Sequence, residues 1–482
     1  MVKRSQSIVS GFRVARRTTQ AFVVCSLLTG LLSGCAAVHV PDYRRPEAPV
    51  KSSWSRLPLS AASATEAISP EWWQEFGDPY LDSLVAKAIA ENVDLKVLAA
   101  RITVANAQIA EVRAGALPSA DIAAGTAQQN TTGHPFSQQY NVGGRVLWDI
   151  DIWGAVEKGV EGQRAEFHAT EADWRAGYLQ IVADVSTTYF QILEYDEQID
   201  RQQHALSDNE QILAIDETLH SNGLLSDSDV LRQRAELSRL TKELVELHRN
   251  RDVTENALAT LLGVPAGQFK IPPDRLQGRV QVPTVAATLP LDLLSRRPDV
   301  VAAEFRVLEA HDLMGQARLA QLPTVSLTGQ AGGASVALNA LLKAFTVGLM
   351  PSIDIPAFNP GVKAHIKTTE AQIKVAEESY RRTVIAAFEE VENALVNLEA
   401  HRREREELQQ QVAQLQAVSE QTKTQLQAGV VTQLQVFEDE RSLLAAQLAL
   451  LDCHEQMLSD TVTLYKALGG GWAPTEVANA RR

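Results

Sequence analysis

Tyr140-Asn141-Val142-Gly143-Gly144-Arg145-Val146-Leu147-Trp148-Asp149-Ile150-Asp151-Ile152 is the stretch whose reading decides the fold. Tyr140, Val142, Val146, Trp148, Ile150 and Ile152 fall on one parity, and Asn141, Gly143, Arg145, Asp149 and Asp151 on the other, which is the pattern of a strand with one apolar and one polar face. About 205 residues later the phase returns, with Phe345, Val347, Leu349, Ile353 and Ile355 against Thr346, Gly348, Ser352 and Asp354. Val325 and Leu327 against Thr324, Ser326 and Thr328 repeat it more briefly, and the matching stretch from Ser119 to Asn130 is weak and Ala-rich. Each half thus offers two strands of about ten residues, long enough to cross a bilayer when tilted.

Outward from this stretch the same offset holds. Asn92-Val93-Asp94-Leu95 falls on Arg297-Pro298-Asp299-Val300, Arg101 on Arg306, and Leu117-Pro118 on Leu322-Pro323. With one added residue, Gly223 falls on Gly429 and Leu262-Gly263 on Leu468-Gly469. A unit near 200 residues is far longer than a solenoid period, so the chain reads as a two-fold tandem repeat. We place the repeats at 81–270 and 291–471, joined by a linker at 271–290, with strands near 119–130, 138–152, 323–331 and 345–357 and a tail at 472–482.

Between the strands lie long helical stretches with seven-residue spacing. Val185, Ile192, Ile199, Leu206 and Leu213 form one file, Val436, Leu443, Leu450, Met457 and Leu464 another, and Val230, Leu237, Leu244 and Leu258 a third. That period implies helices paired side by side with left-handed coiling. A helix from about Gly159 to Leu219 would be roughly 90 Å long at 1.5 Å per residue. The charged residues on these helices, His401 to Gln411 among them, read as solvated faces. A filamentous coiled coil would leave the strands unexplained. Four strands cannot close a barrel, and an open sheet edge in lipid leaves backbone groups unpaired, so an oligomer is required. Two chains would supply eight strands and three would supply twelve; counting alone does not choose.

The N-terminus is an export signal. Lys3, Arg4, Arg13, Arg16 and Arg17 precede a short apolar stretch from Ala21 to Leu32 and then Leu32-Ser33-Gly34-Cys35. The apolar stretch is too short to span a bilayer. The box ending in Cys resembles the lipobox, so residues 1–34 would be removed and Cys35 would carry a diacylglycerol at the head of a lipidated segment, 35–80. Ala36 in place of Asp favours the outer membrane by resemblance to the lipoprotein sorting rule. Losing five basic residues takes the net charge from −14 to −19. Nucleic acid is not a partner at that charge. Cys25 leaves with the signal, so Cys453 is the lone thiol and no intrachain disulfide forms.

No Gly-Lys-Ser/Thr phosphate loop, His-Glu-x-x-His or Cys-x-x-Cys occurs, so no cofactor, metal or catalytic residue is expected and the chain reads as no enzyme. Arg297-Pro298-Asp299 has the look of a reactive cluster, yet Pro at a first helical position and Asp in a first turn suit a helix start. Asn92 would cap the equivalent place in the first repeat.

In order along the chain stand Pro41-Asp42-Tyr43-Arg44-Arg45-Pro46, Trp72-Trp73 through Phe76-Gly77-Asp78-Pro79, Asp149-Ile150-Asp151-Ile152-Trp153-Gly154, Leu294-Ser295-Arg296-Arg297-Pro298-Asp299, Leu322-Pro323-Thr324-Val325-Ser326-Leu327-Thr328-Gly329 and Leu464-Tyr465-Lys466-Ala467-Leu468-Gly469-Gly470-Gly471-Trp472. Together they resemble the TolC-like outer-membrane efflux proteins, in the lipoprotein branch that includes OprM and NodT, over nearly the whole mature chain. The resemblance implies a mixed α and β fold: a membrane β-barrel, four strands per chain and twelve in a homotrimer, continuous with a long periplasmic α-helical barrel. It implies the outer-membrane channel of a tripartite efflux pump, passively conducting drugs or other small molecules. The partners would be a periplasmic adaptor and an inner-membrane transporter, first of the resistance-nodulation-division type, with the major-facilitator type also open. By resemblance, Gly223-Leu224-Leu225-Ser226 and Gly429-Val430-Val431-Thr432 meet the adaptor, although a Gly after a helix is first of all a C-cap. Leu434, Glu438, Asp439 and Arg441 match the periplasmic constriction. Three-fold symmetry would ring the acidic side chains, which suits a cation-selective gate. Leu434, Glu438 and Arg441, spaced four and three apart, share a helical face, with Leu434 as plug and the other two in polar contact with neighbouring helices. Rival readings are a conduit for type I protein secretion, a metal-ion efflux channel, and a lipid-anchored structural protein with no pore.

Overall fold

A computed structural model describes residues 41–51, 53–55, 68–129, 137–285, 290–356 and 358–472. Helices α1 (Pro79–Glu91) and α2 (Val93–Ala114) lead into strands β1 (Ser119–Gln129) and β2 (Ser137–Ile150), followed by α3 (Ala155–Ser221) and α4 (Asp227–Leu261). After the linker come α5 (Pro290–Arg296), α6 (Pro298–Leu319), β3 (Thr324–Ser335), β4 (Phe345–Asp354), α7 (Pro360–Gln427) and α8 (Gln433–Ala467). The second repeat reproduces the order of these helices and strands in the first, with a 3-10 helix, Leu338–Ala344, between β3 and β4.

Contacts divide the chain into two compact units, and neither follows the repeat boundaries. One holds the described residues within Met1–Arg45, Ala105–Phe167 and Arg306–Glu378; the other holds those within Pro46–Val104, His168–Phe305 and Ser379–Arg482. Both units draw on both repeats because strands of the two repeats share one sheet and residues of both repeats fall in each unit. In the first unit the four strands form one antiparallel sheet in the order β1-β2-β3-β4, with β2 of the first repeat bonded to β3 of the second.

The register sorts the sheet into two faces. Val146 stands opposite Gly329, Trp148 opposite Leu327 and Ile150 opposite Val325; Leu349 and Ile353 continue the same face onto β4. Ala120, Ile122 and Ala124 continue it onto β1. Asn141, Arg145, Asp149, Ser326, Gln330 and Ser352 lie on the other face. The apolar face is bare: Val347 is 79% exposed, Leu349 70% and Ile353 67%. Strands β1 and β4 form its two free edges.

Strand β2 stops at Ile150, two residues short of the expected 152, because Asp151 turns into a helix cap. Its carboxylate accepts the backbone N–H groups of Ala155 at 2.7 Å, Val156 at 2.9 Å and Glu157 at 3.2 Å, which fixes the start of α3. Strand β3 runs to Ser335, past the expected 331, and β4 ends at Asp354, short of the expected 357. Trp148 donates its indole N–H to the carbonyl of Ala116 at 2.9 Å and Trp153 to that of Pro323 at 2.7 Å, so two part-exposed tryptophans mark the helix-proximal rim of the sheet. Trp at such a rim suits a membrane interface.

In the second unit α3 pairs with α4 and α7 with α8. Val185, Ile192, Val230, Leu258, Val436, Met457 and Leu464 are buried, whereas Leu206, Leu213, Leu237, Leu244, Leu443 and Leu450 are half-buried. Within the His401–Gln411 face, His401 is an exception to the solvated reading: its Nδ1 meets Asp460 Oδ2 at 2.6 Å.

The repeat is also visible in how the hairpin ends are fastened. Asn92 accepts the N–H of Leu95 at 3.0 Å, capping α2, and donates to the carbonyl of Leu261 at 2.8 Å. Its counterpart Arg297 donates to the equivalent carbonyl, Ala467, at 3.2 Å and also grips Asp299 and Glu390. Pro298 opens α6 beside it. Gly263 at φ +67° and Gly469 at φ +92° close the two hairpins, each passing directly over its neighbour's backbone: a Cβ on Gly263 would lie 2.4 Å from the Glu91 carbonyl oxygen, and one on Gly469 would lie 3.0 Å from that of Arg296.

Candidate channel gate and docking turns

All the expected gate and docking residues lie in the second unit, on the two helical hairpins. Both hairpins turn by the same backbone device. The N–H of Gly223 bonds the carbonyl of His220 and that of Leu224 bonds Leu219, each at 2.9 Å; Gly429 bonds Leu426 and Val430 bonds Gln425, also at 2.9 Å. This paired pattern, with φ +73° and +71° at the glycines, is the Schellman ending, so the C-cap role holds at both. It leaves Leu224 and Val430 as equivalent projecting side chains, 74% and 71% exposed. Leu225 and Val431 are half-buried behind them.

Side chains then differentiate the turns. Ser226 caps α4, accepting the N–H of Asp229 at 3.3 Å, and Asp227 and Asp229 occupy the first turn. Thr432 makes no such bond at the start of α8, and no acidic residue stands in its first turn.

Of the four gate residues, Leu434, Glu438 and Arg441 are exposed on one side of α8, and Asp439 points elsewhere. Asp439 accepts Thr422 Oγ1 at 2.7 Å and Gln435 Nε2 at 3.1 Å, which ties α8 to α7. Next to it, Lys423 and Glu440 pair at 2.8 Å across the same two helices. The Glu438 side chain makes no hydrogen bond or ion pair to a neighbouring helix of its own chain among the described residues; its backbone carbonyl accepts Ser442 Oγ at 2.7 Å. The structure therefore does not bring Glu438 and Arg441 together as an ion pair.

Arg441 faces instead a polar cavity of about 390 Å³ lined by α3, α4, α7 and α8. Across it sits Glu236, which Arg239 grips through Nε at 2.9 Å and Nη2 at 2.5 Å. The Arg239 bonds, against burial and with Arg441 adding its field, hold the Glu236 carboxyl below the usual carboxylate range. Thr422, Lys423, Glu236 and Arg239 were not anticipated. The Glu236-x-x-Arg239-x-x-x-Glu243 spacing marks a helical ion-pair ladder, but spacing within one helix does not reveal which second helix it faces.

Cys35 lies outside the described residues. Among the described residues no group of three or more His, Cys, Asp or Glu could hold a metal ion, and no helix is long and apolar enough to cross a membrane.

The profile of the family described as outer membrane efflux protein matches residues 84–264 and 289–470, most of both repeats. The pyoverdine export outer membrane protein OpmQ of Pseudomonas aeruginosa is 28% identical over 466 residues, which cover 94% of this chain and 97% of that protein. The probable outer membrane lipoprotein SilC of Salmonella typhimurium is 28% identical over 454 residues, covering 92% and 97%. The solved structure of the outer-membrane channel OprN shares the fold at a TM-score of 0.78 and 26% identity, over 90% of this chain and 100% of that one. The chain belongs to the outer membrane efflux protein family.

Proposed function

We propose that three copies of this chain close into a twelve-stranded barrel and form the passive outer-membrane channel of a tripartite efflux pump. The observation that carries the reading is the open four-stranded sheet, with one continuous apolar face exposed and both edges free. In hydrocarbon such a sheet must close on itself, and only copies of the same chain supply equivalent β1 and β4 edges. Three is the number that resemblance to the TolC-like family implies. The channel has no catalytic role; a periplasmic adaptor meets the turns at Gly223–Ser226 and Gly429–Thr432, and a resistance-nodulation-division transporter supplies the energy.

Leu434, Glu438, Asp439 and Arg441 form the periplasmic gate in this reading, in divided roles. Leu434 and Glu438 face out of their own chain and meet their equivalents around the three-fold axis. Asp439 stiffens the α7–α8 hairpin through Thr422, and Arg441 biases that hairpin toward Glu236 on α4.

Cys35 carries the lipid. Tyr43 sits edge-on to His311 of α6, ring centroids 6.1 Å apart. From His311 to Thr324, where β3 begins, the chain climbs about 20 Å at helical pitch. The eight residues from Tyr43 back to Cys35 can span up to about 28 Å, enough to bring the lipid to the bilayer. The name of SilC as a probable outer membrane lipoprotein supports the same anchor.

Deleting the gene and scoring susceptibility to dyes, antibiotics and aromatic acids beside protein secretion tests the function. Hypersensitivity with normal secretion, reversed by the wild-type copy, is the expected result. Lost secretion with unchanged susceptibility would establish the type I secretion reading instead, and sensitivity confined to metal salts would establish metal-ion efflux. For the gate, Glu438→Ala with Arg441→Ala should raise single-channel conductance in planar bilayers, and an unchanged value removes the assignment.

A further inference from the structure

Glu194 on α3 and Glu455 on α8 are each only 5% or less exposed, and neither has a cationic side chain within ion-pair distance among the described residues. Gln198 donates to Glu194 at 2.5 Å; Ser459 and Gln456 donate to Glu455 at 2.5 and 3.1 Å. These donors are neutral. A carboxylate buried without a counter-charge pays a large desolvation cost, so the helix seam favours the neutral form of both groups.

The charges around them do not offset this. Asp452 on α8 adds negative charge beside both. On α7, His401 pulls Glu455 the other way, but it is engaged by Asp460 of α8, whose own charge adds to the upward push on Glu455. Arg405 of α7 lies near His454, whose imidazole burial holds below its usual range with Arg405 adding to the effect, while Glu197 of α3 opposes it. On α4, Arg251 is committed to Asp196, Glu255 and the carbonyl of Ile271. Tyr195 of α3 shares the same negative field.

The position of the pair gives it leverage. From Gln180 on α3 and Lys466 on α8 toward the turns, no hydrogen bond or ion pair joins the α3–α4 hairpin to the α7–α8 hairpin among the described residues; Lys466 and Gln180 themselves meet at 3.2 Å. Beyond that point the two hairpins are held by packing, and this buried acid pair sits in that packing between the fastened base and the gate.

We propose that Glu194 and Glu455 form a proton-sensitive joint: neutral, they let α3 and α8 pack and hold the gate shut; ionised, they spread the hairpins and release it. The proposal rests on the channel reading above and adds its regulation. Burial, with Glu455 and Asp452 adding like charge, pushes Glu194 up to about 8; burial, against the Ser459 bond, pushes Glu455 up to about 7. Raised carboxyl values mean that the packed state binds more protons than the spread one. Its advantage is full at low pH and is lost as pH rises through the range 7 to 8.

The test uses the full-length trimer in planar bilayers from pH 6 to pH 9, as wild type and as Glu194→Gln/Glu455→Gln, whose amides imitate the neutral acids. Wild-type open probability should rise about tenfold or more across that range, since each linked proton can contribute up to tenfold per pH unit. The double variant should stay closed and flat. A pH-independent wild type, or a double variant that keeps the wild-type slope, overturns the joint. Hydrogen exchange of the same trimer in nanodiscs, corrected for intrinsic rates, gives a second readout that needs no current. Protection over 433–450 should fall with pH in wild type and not in the double variant, and equal loss in both overturns the proposal. Zero current at every pH and voltage, together with the expected exchange pattern, would count against the channel reading and leave the joint standing.

Discussion

Replacing Arg297 by alanine should destabilise the protein by about 3 kcal/mol, more than the equivalent change at Asn92 in the first repeat. The side chain is 7% exposed and holds Asp299 through two bonds at 3.0 and 2.6 Å, Glu390 at 2.8 Å and the carbonyl of Ala467 at 3.2 Å. Breaking a fully buried pair by removing one partner costs about 3–5 kcal/mol. Here Asp299 and Glu390 are 38% and 45% exposed and recover water, which takes the ion-pair loss well below that range, to about 1 kcal/mol. The Ala467 carbonyl does not recover water in the same way and adds about 1–3 kcal/mol for an unsatisfied buried acceptor. The repeat supplies an internal control. Asn92→Ala loses a cap, about 1 kcal/mol, and one carbonyl bond to Leu261, so about 2 kcal/mol. Thermal unfolding followed by helical circular dichroism in detergent reads both; at about 2 °C per kcal/mol the shifts are about 6 °C and 4 °C. Arg297→Lys should not restore the loss, because one ammonium cannot make the forked contacts. A melting temperature for Arg297→Ala within 1 °C of wild type, or full recovery with lysine, would refute the reasoning.

The hairpin glycines should separate by environment in the same assay. Gly223→Ala meets nothing within 4 Å and costs only its left-handed backbone, about 1 kcal/mol, whereas Gly263→Ala adds a clash with the Glu91 carbonyl and should cost several times more. Asp78 is nearly fully buried and accepts Tyr189 Oη at 2.7 Å, Arg279 Nε at 2.8 Å and the N–H of Tyr80 at 2.9 Å. Burial alone would raise its carboxyl, but these bonds win and hold it below the usual range. Its stabilisation is therefore present above an unfolded value of about 4 and lost as pH falls through the lower folded one, so acid titration of stability should flatten there in Asp78→Asn. Leu224→Asp with Val430→Asp should abolish complementation of the deletion strain while leaving outer-membrane insertion and melting temperature unchanged, because both side chains project from their turns and support no packing.

The parity of Tyr140 to Ile150 and of Phe345 to Asp354 was enough to find the sheet because a half-buried strand writes its faces into alternate residues. Strand β1 was the weak one: Ala120, Ala124 and Gly125 carry too little side chain to make the alternation plain, and its pairing with β2 defines it instead. Asp151 reads as a polar-face strand residue by parity, while its three accepted N–H bonds make it a cap. The offset that aligned Asn92 with Arg297 correctly matched two positions of unlike chemistry, since both serve the carbonyl that ends the partner hairpin. Glu236, Lys423, Glu194 and Glu455 were not legible as a group. Helical spacing assigns each to a face, but which face meets which helix is set by packing between the two repeats, over sequence separations of about 200 residues.

The two repeats share a backbone and divide their labour through side chains, and the division follows the length of the hairpins. At the base, Asn92 and Arg297 bond the hairpin ends, Gly263 and Gly469 admit close backbone approach, and Trp72 stacks on Tyr465 with ring centroids 5.0 Å apart. Toward the turns, Thr422–Asp439 and Lys423–Glu440 fasten α7 to α8, and Gln233 to Asn209 at 3.0 Å fastens α3 to α4. Each hairpin is thus stiff along its length, and among the described residues the seam between hairpins is free of hydrogen bonds over its outer part. Displacing one against the other there costs packing and long-range charge energy only. Substitutions at the base should accordingly change melting temperature with little effect on gating. Substitutions along the outer seam, Arg441 and Glu236 first, should change conductance with little effect on melting temperature. A double-mutant cycle, Glu236→Gln with Arg441→Gln, decides the point: if the two groups attract across the cavity, the double variant should change conductance by less than the sum of the single changes, whereas independent additive effects would mean that they do not act on one another.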